Sequence, residues 1–146
     1  MGLLKRTVVT SGLALTAVAA LGCGNSPITS ARIEPAIERT FANLVELQVA
    51  RLKMPPVMAP EFAVTAICRN QTTGSDSGAG DWMCTLVWQG PQRQTLRDTY
   101  DLFVATDGCY TATVSGETLG GPTLKATDGT YVKNLLYTFE GCFDTL

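Results

Sequence analysis

Two periodicities divide the chain. Between residues 35 and 53 the apolar positions recur at helical spacing: Ile37, Phe41, Leu44, Val45 and Leu52 share one face, while Arg39, Glu46 and Lys53 share the other. Pro35, preceded by Glu34, suits a first helical turn. Pro55 and Pro56 end the helix, because proline has no N–H to donate and disfavours helical geometry in the residue before it. Gln48 interrupts the apolar stripe, and its amide is expected to find a backbone carbonyl or an exposed edge.

Beyond residue 61 the period falls to two. Over 61–70, Phe62, Val64, Ala66 and Cys68 point one way and Ala63, Thr65, Ile67 and Arg69 the other. Over 82–89, Trp82, Cys84, Leu86 and Trp88 share a side. Antiparallel pairing with Cys68 opposite Cys84 sets Ala66 against Leu86 and Val64 against Trp88, so the apolar faces coincide. Strands are expected over 97–105 and 109–115, joined at Asp107-Gly108, and a two-residue loop there pairs Phe103 with Ala112 and Ala105 with Tyr110. Residues 71–80 and 90–96 read as polar loops, the first flexible, and 116–129 as irregular. Residues 131–139 read as a strand or extended tail, with a short helix grouping Val132, Leu135, Leu136 and Phe139 left open.

The fold class is therefore α+β: one N-terminal amphipathic helix packed on an antiparallel meander of four or five strands. The order of elements over 35–115 resembles a cystatin-like helix-on-sheet arrangement, as in small exported lipoproteins of unassigned role. It carries no diagnostic motif, so no residue role is transferred.

Ahead of this domain lies a different pattern. Lys5 and Arg6 precede an uncharged run over 7–21 rich in Val, Leu and Ala, which Gly22-Cys23 closes. The run is shorter than the roughly 20 residues a bilayer-crossing helix needs, and it has the parts of an export signal. Its end, Ala20-Leu21-Gly22-Cys23, resembles the type II signal of bacterial lipoproteins. The resemblance implies cleavage before Cys23, a diacylglyceryl thioether on its sulfur (a palmitate-type anchor) and extracytoplasmic attachment to a bacterial membrane. Two or more acyl chains, at about 0.8 kcal/mol per buried methylene, make a stable anchor. The expected organisation is signal peptide 1–22, lipidated tether 23–32 and a single disulfide-stabilised domain 33–146.

Charge and cysteine content sharpen this. Without Lys5 and Arg6 the chain keeps nine basic against thirteen acidic side chains, a mildly acidic body with no electrostatic footprint for nucleic acid. With Cys23 assigned to lipid, four of five cysteines remain, an even number that reads as two disulfides in an exported chain. Cys68–Cys84 follows from the strand register, and Cys109–Cys142 would pin the C-terminal tail; four cysteines allow three pairings, and the sequence leaves the choice open. The lack of His and of any C-x-x-C pair argues against a metal centre, and no cofactor is expected.

The same lack of His removes the commonest general base and the usual nucleophile partner. Asp98 and Asp101, three apart in one strand, point to opposite sheet faces. Asp76 and Asp81 lack calcium-loop spacing, and Gly116, Gly120 and Gly121 lack the Lys-Ser/Thr of a phosphate cradle. The binding candidates are Trp82 and Trp88, should their side face solvent, with Arg93 and Arg97 flanking a loop. Because Cys84 and Leu86 share the tryptophans' side, core is the better reading of that face. The expected function is a monomeric, membrane-anchored, non-catalytic binding or adaptor module for a protein or envelope component. The alternatives are a carrier of a lipid or small hydrophobic ligand and, below it, a carboxylate-based envelope hydrolase.

Overall fold

The computed structural model describes residues 27–143; Cys23 and the leader lie outside the described residues. Helix α1 spans Ser30–Arg51. A short 3-10 turn over Ala59–Phe62 leads into β1 (Thr65–Asn70), followed by β2 (Gly80–Gln89), β3 (Thr95–Val104) and β4 (Cys109–Val114). The last segment forms β5 (Thr123–Lys125), β6 (Tyr131–Lys133) and β7 (Thr138–Cys142). Strands β1-β2-β3-β4-β7 make one antiparallel sheet in that order, and β5-β6 a separate two-stranded ribbon. The helix packs on one sheet face, so the domain is α+β.

The helix starts at Ser30, five residues before the position Pro35 suggests, so it takes up the last part of the segment read as a tether. Pro35 lies inside it, and the N–H it lacks would have met only the carbonyl of the exposed Ala31. The extra turn brings Ile33 into the core beside Ile37, Phe41, Val45 and Val49.

The β1–β2 register has Cys68 opposite Cys84 and Ala66 opposite Leu86, as the alternation requires. The β3–β4 register is one residue away from the expected one: Leu102 faces Ala112 and Phe103 faces Thr111. The connection closes at Ala105 and Cys109, leaving three loop residues, with Gly108 in left-handed geometry at φ 82°. This register keeps Tyr100, Leu102, Tyr110 and Ala112 on the buried face together.

Between helix and sheet the aromatic rings fill the space. Phe41 meets Trp88 edge-on at 4.9 Å and Tyr100 at 5.9 Å, and Tyr100 meets Phe139 at 5.4 Å. Burial holds the phenols of Tyr100 and Tyr110 above the ordinary tyrosine range, with the Asp98 carboxylate adding to the effect at Tyr100. The Tyr100 hydroxyl donates to the Leu136 carbonyl at 2.7 Å, tying the last segment to the sheet. Residues 131–139 are neither one strand nor a helix: they form β6, a turn and the start of β7.

Both disulfides are present, joining Cys68 to Cys84 and Cys109 to Cys142. Each bridges directly opposed residues with Cα atoms 4.1 and 3.9 Å apart, the close spacing of a non-hydrogen-bonded antiparallel pair. No helix among the described residues is long and apolar enough to cross a membrane.

Candidate functional site

The binding candidates are not brought together. Trp82 and Trp88 are core residues, 1% and 2% exposed, because even-numbered positions of β2 face the helix. The Trp82 indole N–H donates to the Gly78 carbonyl at 3.0 Å, so its polar atom is used internally. Neither ring offers a contact surface. Arg93 is exposed at the tip of the β2–β3 turn, in left-handed geometry at φ 59°. Arg97 is exposed on the opposite sheet face from the tryptophans, directly across from Val87.

The loop expected to be flexible over 71–80 ends at residue 79, where β2 follows, and is tightly held. Buried Asn70 organises it: its Oδ1 accepts from the N–H groups of Thr72 and Thr73, and its Nδ2 donates to the carbonyls of Ser77 and Gly78. The loop is docked on the segment before α1. Gly78 N–H donates to the Ile28 carbonyl and Ser30 N–H to that of Asp76, while Thr29 bridges Ser77.

Among the described residues, what stays open is the far side of the sheet and one of its edges. The outer face presents Ile67, Met83 and Phe103, exposed at 66%, 40% and 59%, among Thr85, Thr99, Thr111 and Thr113. The two edges differ. At β1 the outward N–H groups are satisfied within the molecule: Ala66 donates to Glu38 Oε1 at 2.8 Å, Cys68 to Glu34 Oε1 at 2.9 Å and Asn70 to the Ser75 carbonyl. At β7 the bonds to the sheet run from Val114 N–H to the Tyr137 carbonyl and from Phe143 N–H to that of Gly108. Antiparallel alternation then turns the N–H and C=O groups of Thr138, Glu140 and Cys142 away from the sheet. Alongside runs a groove of about 400 Å³ between α1 and the end of β7, lined by Arg32, Pro35, Ala36, Arg39, Thr40 and Cys142.

Asp98 and Asp101 do not converge into a reacting pair. Asp98 is buried and its two oxygens accept from the N–H groups of Thr99 and Leu119, whereas Asp101 is exposed on the other face. Among the described residues no group of three His, Cys, Asp or Glu side chains could hold a metal ion. Gln48 is buried in the stripe; its amide oxygen accepts from Leu135 N–H at 2.7 Å, while its Nε2, the group that would donate to a carbonyl, has no partner. The sequence offered only a weak signal for the groove, since Arg39 reads as part of an ordinary polar helix face and Arg32 as the end of the tether. Comparison with family models, with curated proteins and with solved structures gives no match.

Proposed function

We propose that the protein is a lipid-anchored, extracytoplasmic binding module, held at Cys23 and monomeric, that engages a protein or envelope component without catalysing a reaction. The cystatin-like likeness of its helix-on-sheet order belongs to the same reading. The observation that carries it is the pair of disulfides fastening a sheet whose outer face and β7 edge no other described residue covers. Two cystines fit an oxidising compartment outside the cytoplasm. The carrier alternative needs room between helix and sheet, and the rings of Phe41, Trp88, Tyr100 and Phe139 occupy it. The hydrolase alternative needs converging carboxylates, and Asp98 and Asp101 lie on opposite faces.

Anchoring at Cys23 also orients the domain. Four peptide steps separate Cys23 from Pro27, a reach of at most about 14 Å. The chain enters beside the β1–β2 loop, so that end faces the bilayer and the β2–β3 turn with Arg93 faces away.

Two measurements test the proposal. Mass spectrometry of the membrane-derived protein is expected to show a chain starting at diacylated Cys23 with two intact disulfides. A full-length, unmodified form with free thiols overturns the anchor. Pull-down from intact envelopes under mild conditions is expected to recover a partner, and a clean failure counts against the binding role.

A further inference from the structure

The two edges of the sheet pose unequal problems. An uncovered edge strand is a template for another strand, and natural sheets close such edges with a helix, a charge or a proline. Here the helix leans over β1 and closes that edge with Glu34 and Glu38. The β7 edge has no such cover among the described residues. Its neighbour across the groove is the basic side of α1: Arg39 is exposed, and Arg32 lies over the Phe143 ring at 5.7 Å. No ion pair holds either guanidinium among the described residues. Gly141 leaves room for Tyr110, whose hydroxyl a Cβ there would strike at 2.5 Å.

We propose that β7 accepts an extended acidic segment of a partner protein as a sixth strand, with the segment's alternate carboxylates directed at Arg32 and Arg39. The incoming backbone would pair with the outward N–H and C=O groups of Thr138, Glu140 and Cys142, which supply affinity without sequence. Residues opposite Phe139 and Gly141 share their face and enter the groove, so every second position of the partner meets the two arginines. A second copy of this chain fits poorly. Centred β7–β7 pairing sets Glu140 directly against its counterpart, and it offers the arginines no carboxylate. The proposal rests on the binding-module reading, not on the lipid anchor.

The test uses the full mature protein and two fluorescein-labelled peptides, (Glu-Thr)4 and (Lys-Thr)4, at low and moderate salt, with anisotropy and amide hydrogen exchange as readouts. The expected result is at least tenfold tighter binding of (Glu-Thr)4, weakening with salt, and new protection of the Thr138, Glu140 and Cys142 amides. Arg39→Glu is expected to lose at least tenfold in affinity. Glu140→Pro, which removes an N–H that faces solvent and is tolerated on an edge strand, is expected to abolish binding with the fold intact. Should that variant unfold, Arg39→Glu and the amide protection carry the test alone. Equal binding of both peptides, no binding of either, or saturation without protection of those three amides overturns the proposal. So does an envelope partner whose capture survives both substitutions, a result that leaves the binding-module reading standing. If (Glu-Thr)4 binds as expected but envelopes yield no partner, the edge site is upheld and the broader reading fails.

Discussion

The helix holds the β1 edge through two carboxylates, and their removal gives the sharpest test of how helix and sheet are joined. Four helical residues rise about 6.0 Å and two strand residues about 6.8 Å, so Glu34 and Glu38 match the spacing of Cys68 and Ala66. A hydrogen bond to a charged group contributes about 1.5–3 kcal/mol. Both glutamates are only half-buried, and water can reach an abandoned N–H at an edge, so screening brings the figure to about 1–1.5 kcal/mol each. Glu34→Ala with Glu38→Ala should therefore cost about 2–3 kcal/mol, a large share of the roughly 5–15 kcal/mol typical of a domain. In a domain of this size that is a fall in Tm of about 10 °C. Gln at both sites keeps an acceptor and should lose less than half as much. Urea unfolding followed by circular dichroism measures the change, and hydrogen exchange at Ala66 and Cys68 localises it. A double variant within about 0.5 kcal/mol of the parent, with exchange at those amides unaltered, would refute the reasoning.

Three further outcomes are expected. Replacing Cys109 and Cys142 with Ser frees a loop with a sequence separation of 33 and should cost about 3.7 kcal/mol in chemical denaturation, by the loop-entropy estimate. Gln48→Leu strands the Leu135 N–H but also relieves the unpaired Nε2, so the net change should stay within about 1 kcal/mol; Gln48→Glu buries a charge there and should cost more than about 2 kcal/mol in the same assay. Because burial raises the folded-state pKa of Tyr100 and Tyr110, their stabilising contribution is complete below pH about 10, the unfolded value, and is lost as the pH climbs past it. In an alkaline titration their phenolate absorbance should appear together with loss of the fold, and an earlier rise assigned to either residue would contradict the burial.

The legible parts of the fold were those with several repeats of a period. The pairing of β1 with β2 was fixed by two alternating faces and a cystine that all demand one register. The β3–β4 register lies one residue from the one its sequence suggests, because Asp107-Gly108 suits a two-residue turn, while Gly108 here serves as the left-handed third residue of a longer one. The helix starts earlier than its sequence suggests because Pro35 suits a first turn, whereas Ile33 packs fully into the core. Strands of three residues, β5 and β6, are too short to show a period. The groove beside β7 depends on residues about a hundred positions apart, Arg39 and Cys142, and no local signal could join them. The clamp by Asn70 had a readable cue, an asparagine where a strand enters a Gly/Ser-rich loop.

The two cystines lie on opposite sides of the sheet. Cys68 and Cys84 are sealed beneath the helix, whereas Cys142 is exposed on the outer side. A mild thiol reductant therefore meets them one after the other and opens the outer bridge first. The tail strand is the part that would come loose, while the sealed bridge keeps β1 stapled to β2 until the helix itself lifts away. Order of dismantling is thus written into which side of the sheet each sulfur pair occupies.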